Sequence, residues 1–349
     1  MNLKQEPSMK KSIVFIFIGL FVFILYLYFF VGFKDILEVL RKVNPADYLF
    51  YYSLTVASLL LSVFFYSLTW YELLRVLSIK ISIRESLFYC WLGLFVDLVV
   101  PLEAVSGEIT RVYLLSRNSK NDTGKVIASV VIHRILSMGT VLTSLTVSSL
   151  YFIFRGNIPQ YVLVLMIAVL AGTSLTIILI FYLSVREEAT ERLLDKLIRF
   201  TAFITRGRLK VEDLKAKVQN ALTMFHQGIE AIGRNRRNLI KPTVYAFTSW
   251  FFYLLIYVLV FYALGVEVSL GVSVIVYSIS VAVQAIPIGL PVGLVEIVMT
   301  SLYSLFNIDL AISGTATSLI RVVTFWFQLM VGYIIAQWVG IKTLLRSRD

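Results

Sequence analysis

Val99–Arg111 reads VVPLEAVSGEITR, and Ala285–Ile297 reads AIPIGLPVGLVEI. Each sets a proline and glycine break inside an apolar run. In each, a glutamate follows soon after a glycine: Glu108 directly follows Gly107, and Glu296 stands three residues past Gly293. Each leads to an apolar helix with an arginine deep inside it, Arg134 beside His133 in the first case and Arg321 beside Ile320 in the second. Glu108 to Arg134 is 26 residues and Glu296 to Arg321 is 25. Upstream, Leu77–Ser82 (LSIKIS) lies 187 positions before Leu264–Ser269 (LGVEVS). The two stretches read as copies of one segment, and the organisation of the chain follows from that duplication.

Around them the chain is a membrane protein. Its 349 residues are 58% hydrophobic and only 15% charged, and several apolar runs reach the roughly 20 residues that span a bilayer. A net charge of +11 could suggest nucleic acid. The basic residues fall in particular loops, however, so the positive-inside rule explains them and no nucleic-acid partner is expected. A single cysteine, Cys90, excludes an intrachain disulfide framework. The first apolar run, Ser12–Phe33, is too long for a signal-peptide core and has no clear small-residue cleavage site, so it reads as a span.

Taken in order, span one is Ser12–Phe33. Lys34–Asn44 follows as a short interfacial helix with Ile36, Leu37, Leu40 and Val43 on one face. Span two is Asp47 to about Leu77. Arg84–Val100 is a helix closed by Pro101, and Gly107–Ser116 is a short return arm. Ten helical residues cover about 15 Å, half the hydrocarbon thickness, so this arm cannot cross. The pair reads as a re-entrant hairpin, with its broken backbone buried in protein or lining a wet cavity. Span three is about Gly124–Phe152 and span four is Tyr161–Val185. In the polar insertion 186–241, Val211, Leu214, Val218, Leu222, Phe225, Ile229 and Ile232 step by three and four as an amphipathic helix. Span five is Pro242 to about Leu264, Val268–Ile286 and Leu294–Phe306 flank the second break, and span six is Ala311 to about Trp338. The fold class is therefore an all-α polytopic membrane protein with six full spans and two re-entrant hairpins. Hydropathy alone counts eight segments. The parts are 1–46 (first span and interfacial helix), 47–160 (repeat one), 161–241 (connecting span and amphipathic segment) and 242–349 (repeat two). The Lys and Arg distribution puts both termini in the cytoplasm and the chain in the cell membrane as a multi-pass protein.

With this topology the first hairpin enters from the cytoplasm and the second from outside, so the repeats are inverted. Inverted repeats with broken helices in matching places point to a secondary transporter with a site near the midplane. No zinc motif, phosphate-binding loop, dinucleotide fingerprint or nucleophile–base pair stands out, so neither an enzyme nor a cofactor is expected. The chemistry lies in the intramembrane charges Asp97, Glu103, Glu108, Arg134, Glu296 and Arg321. A charge at the bilayer centre costs about 2.5–3.5 kcal/mol on insertion scales, so such groups face inward and pair. The expected pairs are Glu108–Arg134 and Glu296–Arg321. The return arms start at Gly107 and Gly293, and their N-termini add free N–H groups and the positive dipole end. Two arginines and two helix starts form a site for an anion, most naturally a phosphate. The glutamates stabilise those starts. The plainer alternative is a set of buried ion pairs that only fix helix register, and His133 faces either the cavity or a neighbouring helix.

At these residues the sequence resembles the lysylphosphatidylglycerol synthase transmembrane-region family, which includes the flippase half of multiple peptide resistance factors. The matching elements are Pro101, Gly107, Glu108 and Arg111, then Arg134, then Gly293, Glu296 and Arg321, within a likeness covering roughly 47–340, and Pro291 joins them as a candidate site residue. The family often carries paired glycines at both breaks, where this chain has Ser106-Gly107 and Pro291-Val292-Gly293. The sequence has no soluble aminoacyl-transferase domain after the spans, so the resemblance implies lipid translocation and not lipid synthesis. The expected cargo is a phosphate-bearing lipid moved between leaflets, with membrane lipids as partners and Glu108 and Glu296 as candidates for proton coupling. A secondary transporter of a small anion is the alternative, ahead of a membrane-embedded lipid-modifying or glycosyl-transferring enzyme. The sequence does not fix the oligomeric state.

Overall fold

A computed structural model describes residues 21, 23–100, 105–118, 123–155, 159–204, 211–234, 236–284 and 292–346. Pro101, Glu103 and Pro291, like residues 12–20 and 22 of the expected first span, lie outside the described residues.

Among the described residues the chain is helical throughout, with no strand. Past a π-helical turn, Leu27–Val31, the interfacial helix α1 is Phe33–Lys42, and none of its residues is buried. Helix α2, Pro45–Val76, starts where Asn44 Oδ1 accepts from Ala46 N at 3.0 Å and Pro45 takes the first turn. It stops where Ser78 takes a left-handed φ of 58° and Ile79 N returns to Leu74 O at 2.9 Å. Then follow the hairpin arms α3 (Ile83–Val99) and α4 (Ser106–Asn118), and the long helices α5 (Thr123–Arg155) and α6 (Gln160–Val185). The polar insertion forms α7 (Glu187–Ile204) and α8 (Val211–Arg234). Helix α9 is Ile240–Ala263, the second hairpin is α10 (Leu270–Gln284) with α11 (Leu294–Leu305), and α12 (Leu310–Arg321) runs through a π-helical stretch, Val322–Phe327, into α13 (Gln328–Arg346).

Among the described residues, five stretches are long and apolar enough to cross a bilayer: Pro45–Val76, Thr123–Phe154, Gln160–Val185, Arg237–Ala263 and Leu310–Trp338. They match expected spans two to six. The short arms are short here too: α4 has 13 residues and α11 has 12, about 20 and 18 Å against a hydrocarbon core of about 30 Å. Contacts across the first hairpin run backwards along α3 as they run forwards along α4. Asp97 meets Ser106 and Gly107, Gly93 packs on Gly107 and Arg111, and Cys90 meets Arg111. The arms are therefore antiparallel.

Element boundaries recur at one offset. The pairs Val76 and Ala263, Ile83 and Leu270, Asn118 and Leu305, and Thr123 and Leu310 are each 187 residues apart. The turn after α2 recurs as well, because Gly265 repeats the positive φ of Ser78 and Val266 N returns to Phe261 O at 2.9 Å.

The core is built on α2 and α9, which run antiparallel: Tyr51 meets Tyr262 and Phe65 meets Tyr245. Between these contacts Ser62 faces Ser249, and small buried residues such as Ser58 and Ala246 let the two backbones come close. The long helices are exchanged between halves. Helix α5 packs on α10, where Phe152 meets Gly271, and α13 packs on α3, where Gly332 meets Phe95. Helix α6 lies on the periphery, with only 6% of its most apolar window buried, as a lipid-facing span would. Helix α8 buries Leu222, Phe225 and Ile232. Gly124 and Gly228 let it lie close against the start of α5.

Candidate functional site

A cavity of about 270 Å³ opens where α2, α3, α5, α9, α10 and the Arg321–Gln328 segment converge. Its walls draw on both halves at matching positions. Tyr66 and Tyr253, Asp97 and Gln284, Arg134 and Arg321, and Ser137 and Thr324 all line it, each pair 187 residues apart. Arg134 and Arg321 reach it from long helices, and Asp97 and Gln284 reach it from the ends of the first hairpin arms.

Each arginine meets its expected glutamate, but the two pairs differ. Arg321 Nε donates to Glu296 Oε1 at 2.6 Å, with side-chain exposures of 6% and 2%. The guanidinium also lies 4.8 Å from the Phe325 ring centroid, within cation–π range. Arg134 and Glu108 are 3.5 Å apart, with exposures of 32% and 21%. The first pair is a dry charge-assisted bond. The second is a looser, partly exposed contact.

The helix starts also differ. Glu296 does stabilise its own helix, since Gly293 N donates to Glu296 Oε2 at 2.6 Å and Gly293 holds a φ of +99° that suits glycine. Glu108 lies in the first turn of α4 without such a bond among the described residues. There the cap comes from the opposite arm, where Asp97 Oδ1 accepts from Ser106 Oγ at 2.9 Å and from Gly107 N at 2.7 Å. Glu108 lies one residue past Gly107 and turns to a separate crevice of about 630 Å³ between α4 and α5. Gly107 is required for the approach of the arms, because a Cβ there would collide with the Gly93 carbonyl oxygen and the Asp97 carboxylate.

Arg111 does not line the cavity. It is buried, at 2% exposure. Its NH1 lies 2.9 Å from His133 Nδ1, and its guanidinium sits over the rings of Tyr66 and Trp70 at 5.4 and 5.3 Å. A guanidinium only donates, so His133 Nδ1 is the acceptor and the ring is the neutral tautomer with its proton on Nε2. His133 thus serves both roles left open for it, touching a neighbouring helix through Arg111 and lining the cavity.

Of the expected site residues, Arg134 and Arg321 line the cavity, Glu108 and Glu296 back them, and Gly107 and Gly293 start the return arms. Pro101 and Pro291 lie outside the described residues. The position of Asp97 in the cavity, its partner position Gln284 and the Arg111–His133 contact were not anticipated. The 187-residue offset, which relates Leu77–Ser82 to Leu264–Ser269, would also have paired Asp97 with Gln284. Among the described residues no cluster of His, Cys, Asp and Glu could hold a metal ion.

The family model described as lysylphosphatidylglycerol synthase TM region matches residues 16–332. A UPF0104 membrane protein of Methanothermobacter thermautotrophicus is 24% identical over 304 residues, covering 86% of this chain and 88% of that protein. One of Pyrococcus horikoshii is 24% identical over 281 residues, covering 79% and 83%. One of Methanocaldococcus jannaschii is 25% identical over 336 residues, covering 95% of each. No solved structure gives a significant match.

Proposed function

We propose that this chain, which belongs to the lysylphosphatidylglycerol synthase transmembrane-region family, moves a phosphate-bearing lipid between the leaflets of the cell membrane. The observation that carries this reading is the shared cavity, to which two halves of the chain contribute one arginine each at equivalent positions. Guanidinium groups are well shaped for phosphate oxygens. Membership of the family is consistent with a membrane transporter of this kind.

In this reading the halves are inverted repeats. Helices α2 and α9 are antiparallel and meet at equivalent serines, so the two hairpins enter from opposite faces. Alternating access then rocks one half against the other about a fixed site. The two Glu–Arg pairs serve as the moving latches. The structure holds one tight pair, Glu296–Arg321, and one looser pair, Glu108–Arg134, and in the opposite state their roles exchange. Glu108 or Glu296 is the proton acceptor if transport is coupled to an ion. Both termini lie in the cytoplasm.

The test is purified protein in liposomes carrying a tail-labelled phospholipid in both leaflets. Added membrane-impermeant quencher bleaches the outer leaflet alone in empty liposomes. With the protein present, the protected inner pool should be drawn out and bleached. A protected pool unchanged by the protein, for every phosphate-bearing lipid tried, rejects the proposal.

A further inference from the structure

The charges around the cavity say more than that it holds a phosphate. Three guanidiniums, Arg111, Arg134 and Arg321, stand in or directly behind its walls, with three carboxylates, Asp97, Glu108 and Glu296. His133 is neutral, because its Nδ1 accepts from Arg111. Among the described residues the site therefore sums to zero. An apolar surrounding penalises any uncompensated charge, so a net-neutral site best takes a net-neutral cargo.

The charges are also polarised. The two arginines are equivalent between the halves, but the acid is not, because Asp97 has its counterpart in the uncharged Gln284. Asp97 spends Oδ1 on two capping bonds. Its Oδ2 lies beside Gly107 and receives no hydrogen bond among the described residues, leaving one carboxylate oxygen of this cavity-lining residue for a cation. Tyr66, Tyr253, Tyr277 and Trp250 line the same space, and aromatic faces attract ammonium groups.

We propose that the cargo is zwitterionic: a phosphodiester held between Arg134 and Arg321, with a cationic amine held by Asp97. This rests on the reading of the cavity as a phosphate site. It narrows the head group to the phosphoethanolamine or phosphocholine type and ranks singly anionic head groups below it. The same chemistry occurs in water-soluble glycerophosphodiesters, so the test must separate lipid from soluble cargo.

The experiment compares reconstituted wild type, Asp97→Asn and Gln284→Glu on tail-labelled phosphatidylethanolamine and phosphatidylglycerol, alongside uptake of radiolabelled glycerophosphoethanolamine. The asparagine side chain in Asp97→Asn keeps the Oδ1 acceptor that caps α4, and circular dichroism and thermal unfolding check that each variant folds. Wild type is expected to move the zwitterionic lipid about tenfold faster than the anionic one, and Asp97→Asn to reverse that order. Gln284→Glu adds a negative charge and should depress the anionic lipid further. Equal rates for both lipids in wild type, or an order unchanged in Asp97→Asn, overturns the proposal. Uptake of the soluble diester without lipid movement upholds the zwitterion site and overturns the lipid reading. No movement of any of the three overturns both.

Discussion

Ser62 and Ser249 each donate to the other's main-chain carbonyl oxygen, at 2.9 Å in both directions, with their hydroxyl oxygens 3.3 Å apart. They are 187 residues apart, the offset that relates the two arginines and the helix boundaries. A twofold axis through the crossing of α2 and α9 would place these bonds as they are found. Inter-helical hydroxyl bonds in membranes contribute about 0.6 kcal/mol on average. Ser62→Ala and Ser249→Ala should therefore each lower stability by about 0.5–1 kcal/mol and to the same extent, while Ser62→Leu should cost about 1–3 kcal/mol by overpacking. Unfolding in detergent measures all three. Clearly unequal alanine effects would deny the equivalence.

The first hairpin depends on Gly107. A Cβ there meets the Gly93 carbonyl and the Asp97 carboxylate, whereas a Cβ at Gly139 meets nothing within 4 Å. Gly107→Ala should be destabilised by about 1–3 kcal/mol. Gly139→Ala should be neutral or slightly stabilising, since alanine is the better helix former. Equal melting temperatures for the two variants would count against the close antiparallel arms.

The cap on α4 comes from Asp97 and not Glu108, so Asp97→Ala should cost about 0.5–2 kcal/mol, the range for lost N-caps. Asp97→Asn should recover most of it. Glu108→Gln should cost about 0–1 kcal/mol, because its contact with Arg134 is long and partly exposed. The three melting curves, compared at one pH, test the assignment.

Much of this was legible in the sequence. The expected arms Arg84–Val100 and Leu294–Phe306 agree within a residue with Ile83–Val99 and Leu294–Leu305, because apolar runs, prolines and glycines mark helix ends locally. The two Glu–Arg pairs were legible because both partners are intramembrane charges at nearly the same spacing in each half. What escaped depends on packing. Asp97 caps a helix in trans, which only the folded hairpin brings about. Arg111 counts among the expected site residues, yet it does not line the cavity and is buried against Trp70, Tyr66 and His133. Helix α7 was not singled out although Leu193, Leu194, Leu197 and Ile198 also fall at helical spacing. The π-helical stretch after Arg321 depends on the helix accommodating its neighbours.

The topology can be read with single cysteines at Lys196 and Asp309 in a Cys90→Ala background, since Cys90 is buried and free. Lys196 lies on α7 and Asp309 caps the start of α12. One membrane-crossing helix, α9, separates them, and the second hairpin re-enters without crossing. An impermeant thiol reagent should label Lys196→Cys from the cytoplasm and Asp309→Cys from outside. Labelling of both from one side would break the inverted arrangement.

The central claim is that Arg134 and Arg321 hold the cargo and are not merely structural, and paired substitutions test it most directly. Arg321→Ala alone strands Glu296 in the interior, which costs about 3–5 kcal/mol, so loss of transport there would prove little. The double variant Glu296→Gln with Arg321→Gln removes both charges and roughly keeps side-chain size, and Glu108→Gln with Arg134→Gln does the same in the other half. The measurement is lipid translocation in liposomes by each double variant, beside its melting temperature. Both are predicted to melt within a few degrees of wild type and to lose translocation. Wild-type translocation by either stable double variant would contradict the assignment of the two arginines to the head group.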